Sequence, residues 1–201
     1  MNFEEFQRKL KQCRYCREKL KLDFEPKPLV WGNEKAKIVQ ISQAPSFNAG
    51  KCGRAFSQDE NIPDASGKRL LEWYTLSKKE FYNPDNFYIT AAAHCFPGKS
   101  RSGDAKPPMA CAEKWLWEEL SFLNPKIFIV VGRLAAGFLF PDRDFKELIY
   151  ADNVLLNKPA FVLPHPSPVN KKWLKDNPDF EKKRLKKIRE SIKNILGRID
   201  K

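Results

Sequence analysis

The sequence predicts an α/β fold: a single domain of three layers, α/β/α, built on a central sheet of four parallel strands. Three observations predict it. Short apolar runs alternate with stretches of helical periodicity along the chain. Those runs are nearly continuous in apolar character, as strands covered on both faces are. Finally, 201 residues with 42% hydrophobic and 12% aromatic side chains suit one well-filled core and argue against a disordered chain.

The elements follow in order. Residues 2–20 read as a helix, because Phe3, Phe6, Leu10 and Cys13 recur at intervals of three and four. After a proline-containing stretch, Lys37 to Ser42 reads as the first strand, ended by Ala44-Pro45. Residues 46–64, rich in Gly, Asn and Ser, read as an ordered functional loop. A helix over 66–77 leads to the second strand, 87–91, and a loop over 94–108. Met109 to Leu123 has a Trp/Leu face and reads as a helix that Asn124-Pro125 punctuates. The third strand is 127–131, followed by a helix from Gly132 to about Phe140. The fourth strand, Ala160 to Leu163, runs into Pro164-His165-Pro166-Ser167-Pro168. A last helix starts at Pro178, with Asn177 as its cap. Its Leu185, Ile188, Ile192, Ile195 and Ile199 form an apolar stripe that belongs in the core. Within the one domain, residues 1–30 form an N-terminal segment and 171–201 a basic C-terminal helix.

Charge narrows the function classes. Lys and Arg number 37 against 25 Asp and Glu, a net +12, and residues 171–201 hold 12 basic and 5 acidic side chains. Such a surface attracts polyanions, nucleic acid first, through counterion release; a solvated Lys-rich helix is the plainer reading of the same residues. The longest apolar run, Ile127 to Phe140, is interrupted by Arg133 and falls short of the roughly 18–20 residues that cross a bilayer. Residues 1–20 are charged throughout, so no secretory signal is read. The expectation is a soluble, intracellular protein.

In parallel sheets the binding crevice lies beyond the carboxyl ends of the strands. That directs attention to Gln43 onward, Ala91 to Cys95, Gly132, and His165 onward. Of five cysteines, Cys13 and Cys16 form a C-x-x-C pair, and Cys95 and Cys111 form a second, wider pair. Two such pairs supply four thiolates to one metal centre, zinc or iron–sulfur. A redox pair or unrelated buried thiols are the competing readings. A thioredoxin-type pair belongs just after a strand, whereas this one falls in the N-terminal helix.

Taken together, the motifs resemble the uracil-DNA glycosylase superfamily, especially its iron–sulfur-containing branches (family 4 and 5). They are Cys13-x-x-Cys16; Ser42-Gln43-Ala44-Pro45; Gly53-Arg54-Ala55-Phe56-Ser57; Asp64-Ala65-Ser66-Gly67; Tyr88-Ile89-Thr90 with Cys95; Pro125-x-x-Phe128-Ile129-Val130-x-Gly132-Arg133; and His165-Pro166-Ser167-Pro168. The resemblance implies a [4Fe–4S] cluster of structural role on Cys13, Cys16, Cys95 and Cys111, and leaves Cys52 without a ligand position. It implies a repair enzyme that hydrolyses the N-glycosidic bond of uracil or another deaminated base after the nucleotide leaves the stack.

The roles carried over are these. Phe56 stacks on the extruded base, and Gln43, Ala44, Pro45 and Ala91 line its pocket. His165 stabilises the departing base. Asp64 holds water or stabilises the sugar cation, with Asp59 a nearby competitor and helix N-capping the plainer role of Asp64. Ser57, Ser167 and Asn170 bind DNA, and Val169 fills the vacated stack. His94 is structural or faces a phosphate. Two departures stand out. Ala44 replaces the Asp, and Ala91 the Asn, of the uracil-specific branch. Without that Asn the expected preference broadens to hypoxanthine or xanthine beside uracil, or activity weakens. A DNA-binding member without turnover, and a metal-dependent redox or scaffold protein, are the alternatives. The expected partner is DNA carrying deaminated bases, met by a monomer in the cytoplasm and away from membranes.

Overall fold

A computed structural model describes residues 1–101 and 103–197. It is an α/β/α sandwich on a five-stranded sheet in the order β2-β1-β5-β7-β6. Four strands are parallel: β1 (Ile38–Ser42), β2 (Phe87–Ala91), β5 (Ile127–Val131) and β7 (Lys158–Leu163). These are the four read from the sequence. Every residue of β1, β2 and β5 is buried, which is why their sequences run apolar without alternation.

The fifth strand, β6 (Asn153–Leu155), pairs antiparallel with β7 at the edge. It escapes the sequence reading because it is three residues long and its turn lacks glycine. Leu156 and Asn157 take that turn at φ 48° and 60°, the left-handed pair that a two-residue hairpin of type I′ requires. Pro159 extends β7 beyond the expected start; it pairs only with Val154, since the β5 ladder opens at Ala160. A separate two-stranded ribbon, β3 (Lys99–Ser100) with β4 (Gly103–Asp104), stands in the loop after β2.

Side chains alternate across the sheet, and each face takes its own helices. Tyr88 and Thr90 point to the layer holding α1 (Phe3–Lys11) and α6 (Trp117–Ser121): Phe3 packs on Tyr88, and Tyr88 and Thr90 both donate to Glu119. Gln40 and Phe87 point to α4 (Ala65–Tyr74), where Tyr74 donates to Gln40 at 2.7 Å and stacks on Phe87. The β2 edge is covered by Trp31, whose carbonyl accepts from Ile89 N–H.

Several boundaries differ from the sequence reading. The helix expected over 2–20 is two: α1, capped by Asn2 with a Glu5 capping box, and α2 (Tyr15–Glu18), with Cys13 in the break. The expected loop after β1 contains α3 (Phe47–Cys52), capped by Ser46 and stopped by Gly53 at φ 71°. Thr75 at φ 56° ends α4, and Ser77 restarts the chain as α5 (Lys78–Phe81). A π-helical segment, Ala112–Leu116, opens the α6 region. Between β5 and β6 lie α7 (Arg133–Leu139) and α8 (Phe145–Tyr150), the second capped by Asp144.

The C-terminal part is α9 (Lys171–Asp176), a π-helical segment (Phe180–Arg184) and α10 (Leu185–Leu196). The Asn177 side chain donates back to Trp173 rather than capping the helix that follows. Leu185, Ile188 and Ile192 are fully buried, each contributing roughly 1.5–3 kcal/mol. Ile195 is partly buried against the core, and Ile199 lies outside the described residues. Among the described residues no helix is long and apolar enough to cross a membrane.

Candidate active site

The carboxyl ends of β1, β2 and β7 open on a cavity of about 170 Å³. Gln43, Ala44, Pro45, Phe56, Asp64, Ala91, His165 and Ser167 all line it. Eight of the residues singled out from sequence are thus brought to one cavity, although Gln43 and His165 lie far apart in the chain.

The turn after β7 holds His165 firmly. The Ser167 N–H donates to His165 Nδ1 at 3.2 Å, and the Asn170 amide donates to the His165 carbonyl at 3.0 Å. Arg69, on α4, donates to the carbonyls of Pro166 at 2.9 Å and Ser167 at 3.1 Å. Gly132, at φ 92°, lies flat against the imidazole; a Cβ there would come 3.4 Å from Cδ2. Since Nδ1 accepts, the neutral ring carries its proton on Nε2. Burial pushes the His165 pKa below its ordinary 6.5, and Asp64 pulls weakly the other way. The outcome is a neutral imidazole with one N–H to offer.

Asp64 does two things at once. Its Oδ1 caps α4 by accepting from Gly67 N–H at 2.8 Å, and the residue lines the cavity. Oδ2 makes no hydrogen bond among the described residues. Asp59 is exposed and holds its own turn through Asn61 and Ile62 N–H, so it does not compete.

Phe56 adopts φ 56°, a left-handed conformation that L side chains rarely take. Its carbonyl accepts from Asp64 N–H and from Tyr82 O–H, both at 3.0 Å. Gly67 faces that carbonyl so closely that a Cβ would lie 2.2 Å from the oxygen. Gly67→Ala is therefore expected to destabilise the protein by about 1–3 kcal/mol, as forced overpacking does. An unconstrained helix would gain about 1 kcal/mol from the same change. Denaturant unfolding decides the sign.

Ser57, read from sequence as a DNA contact, is 1% exposed, and its hydroxyl donates inward to Tyr82 Oη at 3.0 Å, so its side chain does not face the surface. Ser167 Oγ accepts from Val169 N–H, and Val169 projects at 91% exposure. Sequence reasoning missed Tyr82, Arg69 and the packing role of Gly132. Tyr82 and Arg69 belong to no motif; Gly132 stood in one, at a strand end, with nothing to show what it packs on.

Beneath the cavity, Glu119 is fully buried and gathers three partners. It accepts from Tyr88 O–H at 2.8 Å and Thr90 O–H at 2.7 Å, and pairs with His94 Nε2 at 2.9 Å. Burial opposes a charged His94, but the carboxylate overrides it and holds the ring up at about 10. His94 is 1% exposed and faces no solvent, which removes the phosphate-facing option.

His94 also leads to the thiols. Its backbone N–H donates to Cys111 Sγ at 3.5 Å, and Trp115 Nε1 donates to Cys13 Sγ at 3.2 Å. Burial, then Cys111 and Cys13, pushes Cys16 up to about 11; burial, then Cys111 and Cys16, pushes Cys95 up to about 12. Among the described residues, however, no three metal-binding side chains converge on a single ion. Four thiols, two of them supplied with N–H donors, have the chemistry of a thiolate metal centre, zinc or iron–sulfur. Cys52 is apart, its Sγ against the carbonyls of Ala49 and Arg54.

The model of the uracil DNA glycosylase superfamily matches residues 29–189. The chain belongs to that superfamily. It is 28% identical over 140 residues to the type-4 uracil-DNA glycosylase of Archaeoglobus fulgidus, covering 69% of this chain and 64% of that protein. It is 24% identical over 191 residues to the type-5 uracil-DNA glycosylase of Pyrobaculum aerophilum, covering 84% of each. A type-4 enzyme of Sulfurisphaera tokodaii matches at 28% over 109 residues, 54% of this chain and 46% of the relative. The chain thus spans less than two thirds of the type-4 relatives' length.

Proposed function

We propose that this member of the superfamily is a monofunctional DNA glycosylase, a hydrolase that removes uracil or another deaminated base from DNA. The observation that carries the reading is the meeting of Phe56, Asp64 and His165 around one cavity. Breaking an N-glycosidic bond leaves negative charge on the base and positive charge on the sugar. The Nε2–H of a neutral His165, held by Ser167 N–H and Gly132, offers its donor to the departing base, where charge develops. The free oxygen of Asp64 orients water or faces the sugar cation. Phe56 stacks on the extruded base, Val169 fills the gap it leaves, and Ser167 and Asn170 fix the turn that meets the strand.

Selectivity follows from the wall. Ala44 and Ala91 contribute methyl groups only, and Gln43 is the one side-chain amide lining the cavity among the described residues. A base is therefore read without an Asn at Ala91, by Gln43, backbone groups and the hydroxyls that line the cavity, which supports a range including hypoxanthine and xanthine beside uracil. The same two alanines favour a second reading, a damage-binding member without turnover. Cys13, Cys16, Cys95 and Cys111 would hold a [4Fe–4S] cluster. When bound, it supplies cross-links between the α1–α2 break, the loop after β2 and the π-helical segment, and no step of base release passes through it.

The test is a panel of oligonucleotides carrying uracil, hypoxanthine or xanthine, scored for alkali-labile sites. Release from at least one is expected. Binding without product from any would sustain the second reading. The pH profile adds a sharper check. His165 acts in its neutral form, and burial lowers its pKa, so activity should persist as pH falls through 6.5 and decline only below it. In Asp64→Asn the upward pull on His165 is gone, so the acidic limb of the residual activity should move further down. A limb centred above pH 6.5 would contradict the assignment.

A further inference from the structure

At the rim of the cavity an aromatic pair is left open to solvent. Phe47 is the first residue of α3, directly after cavity-lining Ser46, and is 59% exposed. Its ring meets Phe96 edge-on at 5.7 Å. The Lys99 ammonium lies over the other ring at 5.7 Å and pairs with Asp104 at 2.6 Å, and Asp104 lines the cavity. A contiguous path of ring, ring, cation and carboxylate thus leads from open surface to the cavity mouth. No part of the base-release chemistry uses it.

An exposed ring whose partner ring lies beneath a lysine ammonium, on a chain of net charge +12, is suited to a planar, anionic-backboned ligand. We propose that Phe47, backed by Phe96, is a stacking platform for an unpaired nucleobase adjacent to the extruded one. Val169 stands on the turn after β7, two strands away from β1. The strand would therefore be gripped at two points, with the base on the Phe47 side withdrawn from pairing. The inference rests on the cavity being a base-extrusion site, and it names the substrate form: single-stranded or locally opened DNA.

The test uses a short single-stranded oligonucleotide with one cleavage-resistant 2′-fluorinated uracil nucleotide and the fluorescent base 2-aminopurine on one side or the other. A matching duplex serves as comparison. The full-length protein is expected to quench the fluorophore on one side only. Phe47→Ala should abolish the quenching and weaken single-strand binding about tenfold, within the range of one base–aromatic stack, while duplex affinity changes less than about twofold. Phe47→Trp should restore both. Undiminished quenching in Phe47→Ala, or an equal loss on single strand and duplex, would overturn the platform. The readout needs no turnover. A protein that quenches but releases no base removes the glycosylase reading and leaves this one; release with an indifferent Phe47→Ala does the reverse.

Discussion

His165→Ala is expected to slow base release by about 10²–10³-fold, the usual loss when one preorganised donor to a developing anion is removed. The ring is held by Ser167 N–H and packed on Gly132, so its N–H is aimed before substrate arrives and needs no reorganisation. The fold should survive, because the turn remains tied by Arg69 to the carbonyls of Pro166 and Ser167. Affinity for DNA should change little, since the donor acts on charge that appears only as the bond breaks. Single-turnover release from a uracil-containing strand, beside binding to the same strand, measures both. A variant within threefold of the parent rate would leave the imidazole without a catalytic part.

Glu119→Leu is expected to cost about 3–5 kcal/mol of stability, as breaking a buried ion pair does. Three groups lose their acceptor together: Tyr88 O–H, Thr90 O–H and the His94 ring, all buried. At this chain length each kcal/mol lowers the melting temperature by roughly 2–4 °C. Removing His94 as well, in Glu119→Leu/His94→Leu, should recover part of the loss, because no unpaired charge is then left inside. Equal melting temperatures for the parent and Glu119→Leu would show that the pair contributes nothing.

Much of the frame was legible because burial on both faces leaves a continuous apolar signature, which Ile127-Phe128-Ile129-Val130-Val131 displays most plainly. Strand β6 was not legible: three residues with a Leu-Asn turn carry neither length nor glycine. The split of the N-terminal helix at Cys13 was hidden because Phe3, Phe6 and Leu10 set a periodicity that Cys13 happens to continue. In the site, residues just past strand ends could be found in advance, since parallel topology sends those ends to one edge. The inward turn of the Ser57 hydroxyl was hidden because a motif names a neighbour of Phe56 without saying which way its side chain points. Glu119 and Tyr82 were illegible for a simpler reason. A lone carboxylate or phenol in a helical stretch gives no hint of a partner dozens of residues away.

The Arg69 clamp has a mechanical corollary. Because one guanidinium joins the middle of α4 to the turn bearing His165, the carboxylate at the head of that helix and the imidazole travel as a single jaw. Accommodation of a bulkier guest must then come from the opposite jaw, the stretch from Gln43 to Ser46, since Phe56 is itself tied to Asp64 N–H. Evolution or engineering could retune what enters by rebuilding that stretch alone, without disturbing the alignment of acid and imidazole.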